Sequence, residues 1–367
     1  MTANAKRLAF FEQWIDPVAG RMLAERPDID LVELRFATPA ADTWREFAMA
    51  HGYHILPRGD LIEPWFGNAA LIGKCPRLLA ICSTGAGYDM VDVDACTRAG
   101  IIVCSQTGAN KEAVAEHALG LMLSLSKKIA LTDKAMRTGA KVDRYAFTGN
   151  DLMGKTVGIV GIGQIGTRTA ELCRGLLRMP VLACDPYLTA EQIAARGAEK
   201  VELDELLARS DFVTVHCPRT KETLGLFGAA QFARMKPSAF FLNTARGGIH
   251  DEAALAAALG KGQIAGAGID VFLVEPPPAD HPLLAFDNVI ASPHIAGVTH
   301  EAMHEMARAA AVQWIDIFAG RVPPRLVNPE AWPRYCERFQ QLLGLRPAAF
   351  VSSSVGSPPR LAGAASC

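Results

Sequence analysis

The stretch TVGIVGIGQIG, residues 156–166, decides the fold of this chain. Its β-branched apolar residues predict a buried strand, and its glycines predict a tight turn that leads into a helix. Gly161 permits the sharp turn, Gly163 lets a ligand approach the backbone, and Gly166 lets the helix pack against the strand. Since free N–H groups at a helix start favour a diphosphate, we interpret the stretch as a dinucleotide-binding turn rather than one that only packs.

A carboxylate follows at the spacing that a dinucleotide site requires. A second apolar run, Val181 to Cys184, ends in Asp185, which lies 19 positions beyond Gly166. There it would bind the ribose hydroxyls and repel the 2′-phosphate of NADP, and residues 186–188 supply no cation. The sequence therefore favours NAD as cofactor, although a turn residue before Pro186 is the alternative for this position alone.

The composition excludes several classes of protein. The chain has 367 residues, enough for two domains, and a net charge of −1, which argues against a nucleic-acid partner. We find neither a run of roughly 20 apolar residues nor a signal peptide, so we expect a cytoplasmic protein without a membrane partner. The nine cysteines are scattered singly, which predicts buried reduced thiols and no metal cluster.

Short apolar runs alternate with amphipathic stretches along most of the chain, which predicts parallel α/β structure. Before the turn we predict strands at 31–36, 77–82 and 101–104, helices at 43–51, 93–100 and 111–127, and a connector over 129–150. From the turn onward we predict six strands, at 156–161, 181–184, 212–215, 239–243, 266–269 and 288–291, the number that two mononucleotide-binding halves require. The hundred residues before the turn need a core of their own, so a second domain precedes it.

Three polar side chains each follow the end of a predicted strand: Arg246, Glu275 and His294. Loops at the carboxyl ends of parallel strands bind ligands, so the three could meet at one site. A guanidinium can hold the carboxylate of a 2-oxo acid, and an imidazole paired with a carboxylate can protonate its carbonyl during hydride transfer. Structural alternatives remain: an ion pair between Arg246 and Asp251, a solvated loop charge for Glu275, and a buried histidine for His294.

Eight segments, in order from about Pro76 to Trp332, resemble the D-isomer-specific 2-hydroxyacid dehydrogenases. They are STGAGYDMVDVDA at 83–95, ANKEAVAEHALGLML at 109–123, GIGQIG at 161–166, VHCPRTKET at 215–223, NTARGGIHDEAAL at 243–255, GAGIDVFLVEPP at 266–277, SPHIAGVT at 292–299 and LVNPEAW at 326–332. The resemblance implies an NAD-dependent enzyme that interconverts small 2-oxo and D-2-hydroxy acids, and usually a homodimer formed through the nucleotide domain.

The resemblance also implies a fold and a set of site residues. A Rossmann-type doubly wound nucleotide domain, residues 105–296, is inserted in a smaller flavodoxin-like α/β substrate domain, residues 1–104 plus 297–334, and we expect a disordered tail at 335–367. Arg246, Glu275 and His294 match the catalytic residues. The substrate carboxylate is received by the backbone N–H groups of Ala86 and Gly87, with Asn110 nearby. Beside the three glycines, the cofactor-lining positions are Val114, Gln164, Ile165, Asp185, Pro218, Thr223, Thr244, Ala245, Asp270 and Gly297.

Several points stay open in the sequence. Glyoxylate, hydroxypyruvate and phosphoglycerate-like acids are all candidate substrates, whereas Glu275 disfavours formate because formate dehydrogenases of the family carry Gln there. A dinucleotide sensor of the corepressor type is the alternative function. The motif HEAMH at 300–304 fits a zinc-protease signature, but we find no third histidine downstream and expect no metal. Arg219 and His250 are unusual choices whose roles the sequence does not indicate.

Overall fold

The computed structural model describes residues 5–139 and 143–349. The chain divides into two compact units. Unit 1 comprises Met1–Asn110 and His300–Cys367, and unit 2 comprises Lys111–Thr299. The first unit is therefore built from both ends of the chain, with boundaries a few residues later than those predicted.

The strands are β1 Lys6–Phe11, β2 Ile29–Leu34, β3 Gly52–Ile55, β4 Ala80–Ser83, β5 Ile102–Cys104, β6 Val157–Val160, β7 Val181–Cys184, β8 Glu199–Lys200, β9 Phe212–Val215, β10 Phe240–Asn243, β11 Gly266–Ile269 and β12 Val289–Ala291. The α-helices are α1 Val18–Ala24, α2 Ala40–Phe47, α3 Ala69–Lys74, α4 Val93–Ala99, α5 Lys111–Ser126, α6 Ile129–Arg137, α7 Gln164–Leu177, α8 Ala190–Ala194, α9 Leu203–Arg209, α10 Ala229–Arg234, α11 Glu252–Gly260, α12 His300–Phe318 and α13 Trp332–Leu343.

Unit 1 contains a parallel sheet of five strands in the order β2-β1-β3-β4-β5. Apolar clusters cover both faces of this sheet, and Trp314 and Phe318 from α12 pack into one of them. The sequence analysis missed β1 and β3, which lie at the centre of the sheet. A side chain at Gly52 in β3 would overlap the Trp314 ring, so this glycine permits the helix to pack closely on the strand.

Helix α13 corrects the expectation of disorder from residue 335 onward. Trp332, Tyr335 and Phe339 recur at helical spacing, and all three are buried in the core of unit 1. Burial of this apolar stripe stabilises the helix, so the expectation is wrong for residues 335–343. The part of the predicted tail from residue 350 lies outside the described residues.

Unit 2 contains a parallel sheet of seven strands in the order β12-β11-β10-β9-β6-β7-β8. All six strands predicted from residue 156 onward are confirmed, and the short edge strand β8 is added. Successive strands are added from β6 to β8 towards one edge of the sheet, and the chain then returns to β9 beside β6 and continues to β12 at the other edge. This change in the order of the strands identifies a doubly wound Rossmann-type fold. The predicted connector is wrong in part, because it contains α6, a helix without buried residues.

The described cysteines confirm the prediction of reduced thiols. Eight cysteines are free thiols, most of them buried. Within residues 5–139 and 143–349, no helix combines the length and the apolarity needed to cross a membrane.

Candidate active site

The glycine turn between β6 and α7 has the geometry that its sequence predicts. Gly161 has a φ of +88°, and a Cβ there would lie 2.6 Å from the backbone nitrogen of Cys217. A Cβ at Gly166 would overlap the carbonyl oxygen of Gly161, so the helix packs tightly against the turn. By contrast, a Cβ at Gly163 would have nothing within 4 Å. Helix α7 begins at Gln164, so its first N–H groups adjoin this open space.

Asp185 follows β7 and is fixed to the same turn. Its Oδ2 accepts a hydrogen bond from Ile162 N at 3.2 Å, and its Oδ1 accepts one from Tyr187 N at 3.1 Å. The Tyr187 hydroxyl donates to Glu222, which joins the loops after β7 and β9. Arg196 donates to the Ile162 carbonyl and is a cation at this turn that sequence reasoning missed.

The other predicted cofactor-lining residues lie on several elements of unit 2. The Thr223 hydroxyl donates to the Pro218 carbonyl at 2.6 Å, which closes the loop after β9. Thr244 is buried, and its hydroxyl has no hydrogen-bond partner within the described residues. Ala245 is half-buried in the turn after β10. Val114 is buried on α5, Ile165 is half-buried on α7, and Gly297 is half-buried in the loop after β12.

Arg246 lies in the turn that follows β10. Its Nη1 donates to the Ala245 carbonyl at 2.7 Å. The carbonyl of Arg246 accepts a hydrogen bond from Asn243 Nδ2 at 3.0 Å, and the next carbonyl, that of Gly247, accepts one from Arg219 Nη1 at 3.3 Å. A side chain at Gly247 would overlap the carbonyl of Phe272, so this turn lies directly against the loop that carries Glu275.

Glu275 and His294 form the pair that the sequence predicts. Glu275 Oε2 accepts a hydrogen bond from His294 Nδ1 at 2.8 Å, and Oε1 accepts one from Phe272 N at 3.0 Å. Burial raises the pKa of Glu275, but the His294 hydrogen bond and charge, the Phe272 N–H and the Arg246 charge together hold it below its ordinary value. An ionised carboxylate only accepts, so Nδ1 of His294 carries a proton and Nε2 is the nitrogen available for chemistry.

These contacts decide two of the structural alternatives. The His294 side chain is 39% exposed, so the alternative of a buried histidine is wrong. Glu275 is hydrogen-bonded to it, so the alternative of a merely solvated charge is also wrong. The charge of Arg246 is the smallest of the influences that hold the pKa of Glu275 below its ordinary value.

Asp270 anchors the loop that carries His294. It is fully buried after β11, its carboxylate accepts hydrogen bonds from the N–H groups of Ile295 and Ala296, each at 2.9 Å, and its carbonyl accepts one from His294 N at 2.7 Å. These bonds hold His294 at a φ of +57°, in the left-handed region that non-glycine residues rarely adopt. The backbone thus fixes the Cα–Cβ direction of His294, and the hydrogen bond to Glu275 orients its ring.

Two residues that the sequence analysis missed extend this anchor. Ser292 Oγ donates to Asp270 at 2.6 Å, and His117 on α5 is 3.1 Å from Ser292 Oγ. Since the serine hydroxyl donates to the carboxylate, His117 Nε2 donates to the serine. Both residues lie inside segments that suggested the family, but their contact joins residues 175 positions apart.

Unit 1 holds the predicted carboxylate-binding turn after β4. The carbonyl of Gly85 accepts hydrogen bonds from Ser83 Oγ at 2.7 Å and from Gln106 N at 2.9 Å. Among the described residues, the N–H groups of Ala86 and Gly87 donate no hydrogen bond. Asn110 is half-buried, and its Oδ1 has no partner within the described part of the chain.

The HEAMH segment begins α12 in unit 1. His304 Nδ1 lies 3.5 Å from a carboxylate oxygen of Asp16, and both are partly exposed. No group of three potential metal ligands comes together within residues 5–139 and 143–349.

Comparison with known proteins identifies the family. Residues 119–296 match the family described as "D-isomer specific 2-hydroxyacid dehydrogenase, NAD binding domain". The chain is 40% identical over 267 residues to a glyoxylate reductase of Thermofilum pendens, which covers 72% of this chain and 78% of that protein. This chain belongs to the D-isomer-specific 2-hydroxyacid dehydrogenases.

Two further members of this 2-hydroxyacid dehydrogenase family define the extent of the likeness. A D-3-phosphoglycerate dehydrogenase of Archaeoglobus fulgidus is 42% identical over 261 residues, which cover 71% of this chain but 49% of that protein. The chain thus spans about half the length of that relative. A D-lactate dehydrogenase of Aquifex aeolicus, whose crystal structure is complexed with NAD and lactic acid, has a TM-score of 0.73 and 27% identity, and the match covers 85% of this chain and 96% of that one.

The residues of unit 2 fit the nicotinamide dinucleotide that this 2-hydroxyacid dehydrogenase family binds. The space beside Gly163 is open, and the first N–H groups of α7 adjoin it. Asp185 is fixed at the same turn, and the buried Thr244 hydroxyl has an unused hydrogen-bonding capacity within the described residues. Unit 2 is therefore the nicotinamide dinucleotide-binding domain of the chain.

Proposed function

We propose that this protein is an NAD-dependent dehydrogenase that interconverts a small 2-oxo acid and a D-2-hydroxy acid. The observation that carries the proposal is the hydrogen-bonded pair of His294 and Glu275, with the charge of Arg246 acting on the same carboxylate. An acid, the carboxylate that orients it and a guanidinium are the groups that carbonyl reduction requires.

Arg246 is the proposed substrate clamp. Its planar guanidinium can hold a carboxylate with two parallel hydrogen bonds and also polarise the adjacent carbonyl. The turn below it is fixed at the carbonyls of Arg246 and Gly247, so the guanidinium starts from a defined position. This orientation lowers the entropic cost of bringing the substrate carbon to the cofactor.

His294 is the proposed acid/base and Glu275 its partner. During reduction, protonated His294 donates from Nε2 to the carbonyl oxygen while Nδ1 continues to donate to Glu275. The carboxylate stabilises the imidazolium before this transfer and keeps the ring oriented afterwards. In the opposite direction, neutral His294 accepts the hydroxyl proton. Bound NADH supplies the hydride.

Further groups have proposed binding roles. In unit 1, the N–H groups of Ala86 and Gly87 receive the substrate carboxylate, with Asn110 as a neighbouring polar group. In unit 2, Gln164 and Ile165 face the diphosphate, Asp185 binds the ribose, and Asp270 lies near the nicotinamide amide. The remaining lining positions are Val114, Pro218, Thr223, Thr244, Ala245 and Gly297. Asp185 supports NAD over NADP, while Arg196 at the same turn makes a comparison of both cofactors necessary.

The substrate is proposed as a class of acids. Relatives named glyoxylate reductase and D-3-phosphoglycerate dehydrogenase support glyoxylate, hydroxypyruvate and phosphoglycerate-like acids. We also propose a homodimer formed through unit 2. Ile129, Met136, Tyr145 and Met153 are all exposed there, and such apolar side chains are typical of an interface. Light scattering on the wild type and on Met136→Glu tests this dimer.

The test of the function is oxidation of NADH and NADPH against a panel of 2-oxo acids. We expect turnover with NADH, a loss of 10²–10⁴-fold in His294→Ala, and a loss of roughly 10²-fold or more in kcat/KM in Arg246→Ala. His304→Ala and Arg234→Ala are matched controls at exposed positions and should keep wild-type rates. Tight NADH binding without turnover on any acid favours the sensor function, and undiminished rates in both site variants refute the residue assignment.

A further inference from the structure

We propose that His250 is a positioning residue for Arg246: it fixes the side chain of Asn243, which holds the turn that presents the guanidinium. The inference rests on the proposed function and extends it to a histidine outside the reacting groups. His250 is almost completely shielded from solvent, with 1% of its surface exposed.

The first step is the hydrogen-bonding of Asn243, which is fully buried at the end of β10. Its Nδ2 donates to the Arg246 carbonyl at 3.0 Å and lies 2.9 Å from His250 Nδ1. Its Oδ1 accepts a hydrogen bond from Ala245 N at 2.9 Å. Both amide hydrogens and the carbonyl oxygen are therefore used, so the amide has one orientation, and two of its three bonds hold the backbone on either side of the Ala245–Arg246 peptide.

The second step is the state of His250. Burial lowers its pKa to about 4, so the ring is neutral at neutral pH. Nδ1 faces an amide N–H and must accept, which places the single ring proton on Nε2. The backbone on both sides is held to Phe227, whose N–H donates to Ile249 O at 3.1 Å and whose carbonyl accepts from Asp251 N at 2.9 Å. The acceptor thus has a fixed place.

The third step is that His250 is a poor choice for packing alone. Its Nε2 has no hydrogen-bond partner within the described residues, although it is buried. A buried N–H without a partner destabilises the folded state, and a leucine of similar volume would avoid that cost. The residue is therefore explained by the acceptor that it offers to Asn243. Arg219 Nη1 donates to the following carbonyl, that of Gly247, at 3.3 Å.

Two substitutions separate positioning from packing. His250→Leu keeps the volume and removes the acceptor, whereas His250→Asn places Oδ1 close to the position of Nδ1 and leaves a cavity. We expect kcat/KM for the 2-oxo acid to fall roughly tenfold in His250→Leu, the effect of one hydrogen bond, and to recover to within about threefold of wild type in His250→Asn. The Kd for NADH should stay within about twofold in both. Thermal stability should rank in the opposite order, with His250→Asn the less stable.

Hydrogen exchange supplies a readout that does not need turnover. The Ala245 N–H is protected by Asn243 Oδ1, so its exchange should be roughly tenfold faster in His250→Leu and close to wild type in His250→Asn. Equal kcat/KM in the two variants, or activity that follows thermal stability, overturns the proposal. An unchanged exchange rate of the Ala245 N–H in His250→Leu also overturns the proposal. If His250→Asn does not fold, this exchange rate is sufficient to test it. A wild type that reduces no 2-oxo acid refutes the proposed function instead, and Ala245 exchange then still tests the role of His250.

Discussion

Two turns in this protein occupy equivalent places and present different chemistry. Gly85–Gly87 follows β4 in unit 1, and Ala245–Gly248 follows β10 in unit 2, each after a buried parallel strand. In unit 1 the turn carbonyl is held by neutral groups, the Ser83 hydroxyl and the Gln106 N–H, and the turn presents backbone N–H groups. In unit 2 the turn is held by an amide and by Arg219, and it presents a guanidinium.

Each of the two turns also lies beside its own buried, neutral histidine. In unit 1, His54 Nε2 lies 3.2 Å from the Thr84 hydroxyl, and burial lowers the pKa of His54 to about 3. In unit 2, His250 contacts Asn243, and burial lowers its pKa to about 4. The comparison teaches that the carboxyl ends of the parallel strands set the position of a ligand-binding turn. The residues of each turn then decide whether backbone or side-chain groups act on the ligand.

The largest expected effect tests whether both histidines are buried in the neutral state. An unfolded histidine takes up a proton near pH 6.5, but folded His250 does so only near pH 4, so stability falls as the pH drops from 6.5 to 4. The loss is about 3 kcal/mol for each histidine over this range. Between pH 7 and pH 4, the urea-measured free energy of unfolding of His250→Leu, and likewise of His54→Leu, should therefore change by about 3 kcal/mol less than that of wild type. A flatter pH dependence in only one of the two variants breaks the parallel between the units.

The next effect concerns the charged groups of unit 2, and specifically the carboxylate charge of Glu275. Glu275→Gln keeps an oxygen that accepts from His294 Nδ1 but removes the carboxylate charge. Because the imidazolium is then less stabilised, the rate of 2-oxo acid reduction at pH 8 should fall roughly thirtyfold, equivalent to about 2 kcal/mol, and the loss should shrink towards pH 5.5. The pH profile of kcat/KM measures this. A loss that is independent of pH assigns Glu275 a packing role instead.

The smallest effect concerns the neutral turn of unit 1. Ser83→Ala removes one of the two hydrogen bonds on the Gly85 carbonyl and leaves that of Gln106 N. The KM for the 2-oxo acid should rise about fivefold with kcat nearly unchanged, since one neutral hydrogen bond contributes about 1 kcal/mol. Steady-state kinetics at saturating NADH measure this. A fall in kcat with constant KM contradicts a binding role for the turn.

Much of unit 2 could be predicted because its strands are short apolar runs and its glycine turn is local. The strands of unit 1 were harder to predict. Strand β1 begins with two cations, and β3 begins with Gly52, which is needed because the ring of Trp314, distant in sequence, packs against it. Helix α6 buries no residue, and Asp133, Lys134 and Arg137 interrupt its apolar side chains, so its sequence resembles a connector.

The candidate site divides in the same way. Arg246, Glu275 and His294 could be found because each follows a strand. The supports beneath them could not, because Ser292, His117 and His250 act through hydrogen bonds between distant side chains that leave no periodic pattern. His250 stood out in the sequence, but its solvent-shielded contact with Asn243 is visible in the structure alone.

Gly247 has a consequence for how this protein can change. The arginine turn packs directly against the Phe272 carbonyl. Because Gly247 has no side chain, the loops that carry Arg246 and Glu275 lie in direct contact. Any larger residue there would move both loops at once, so neither can be remodelled independently. A substitution at Gly247 should therefore disturb the arginine turn and the Glu275 loop together.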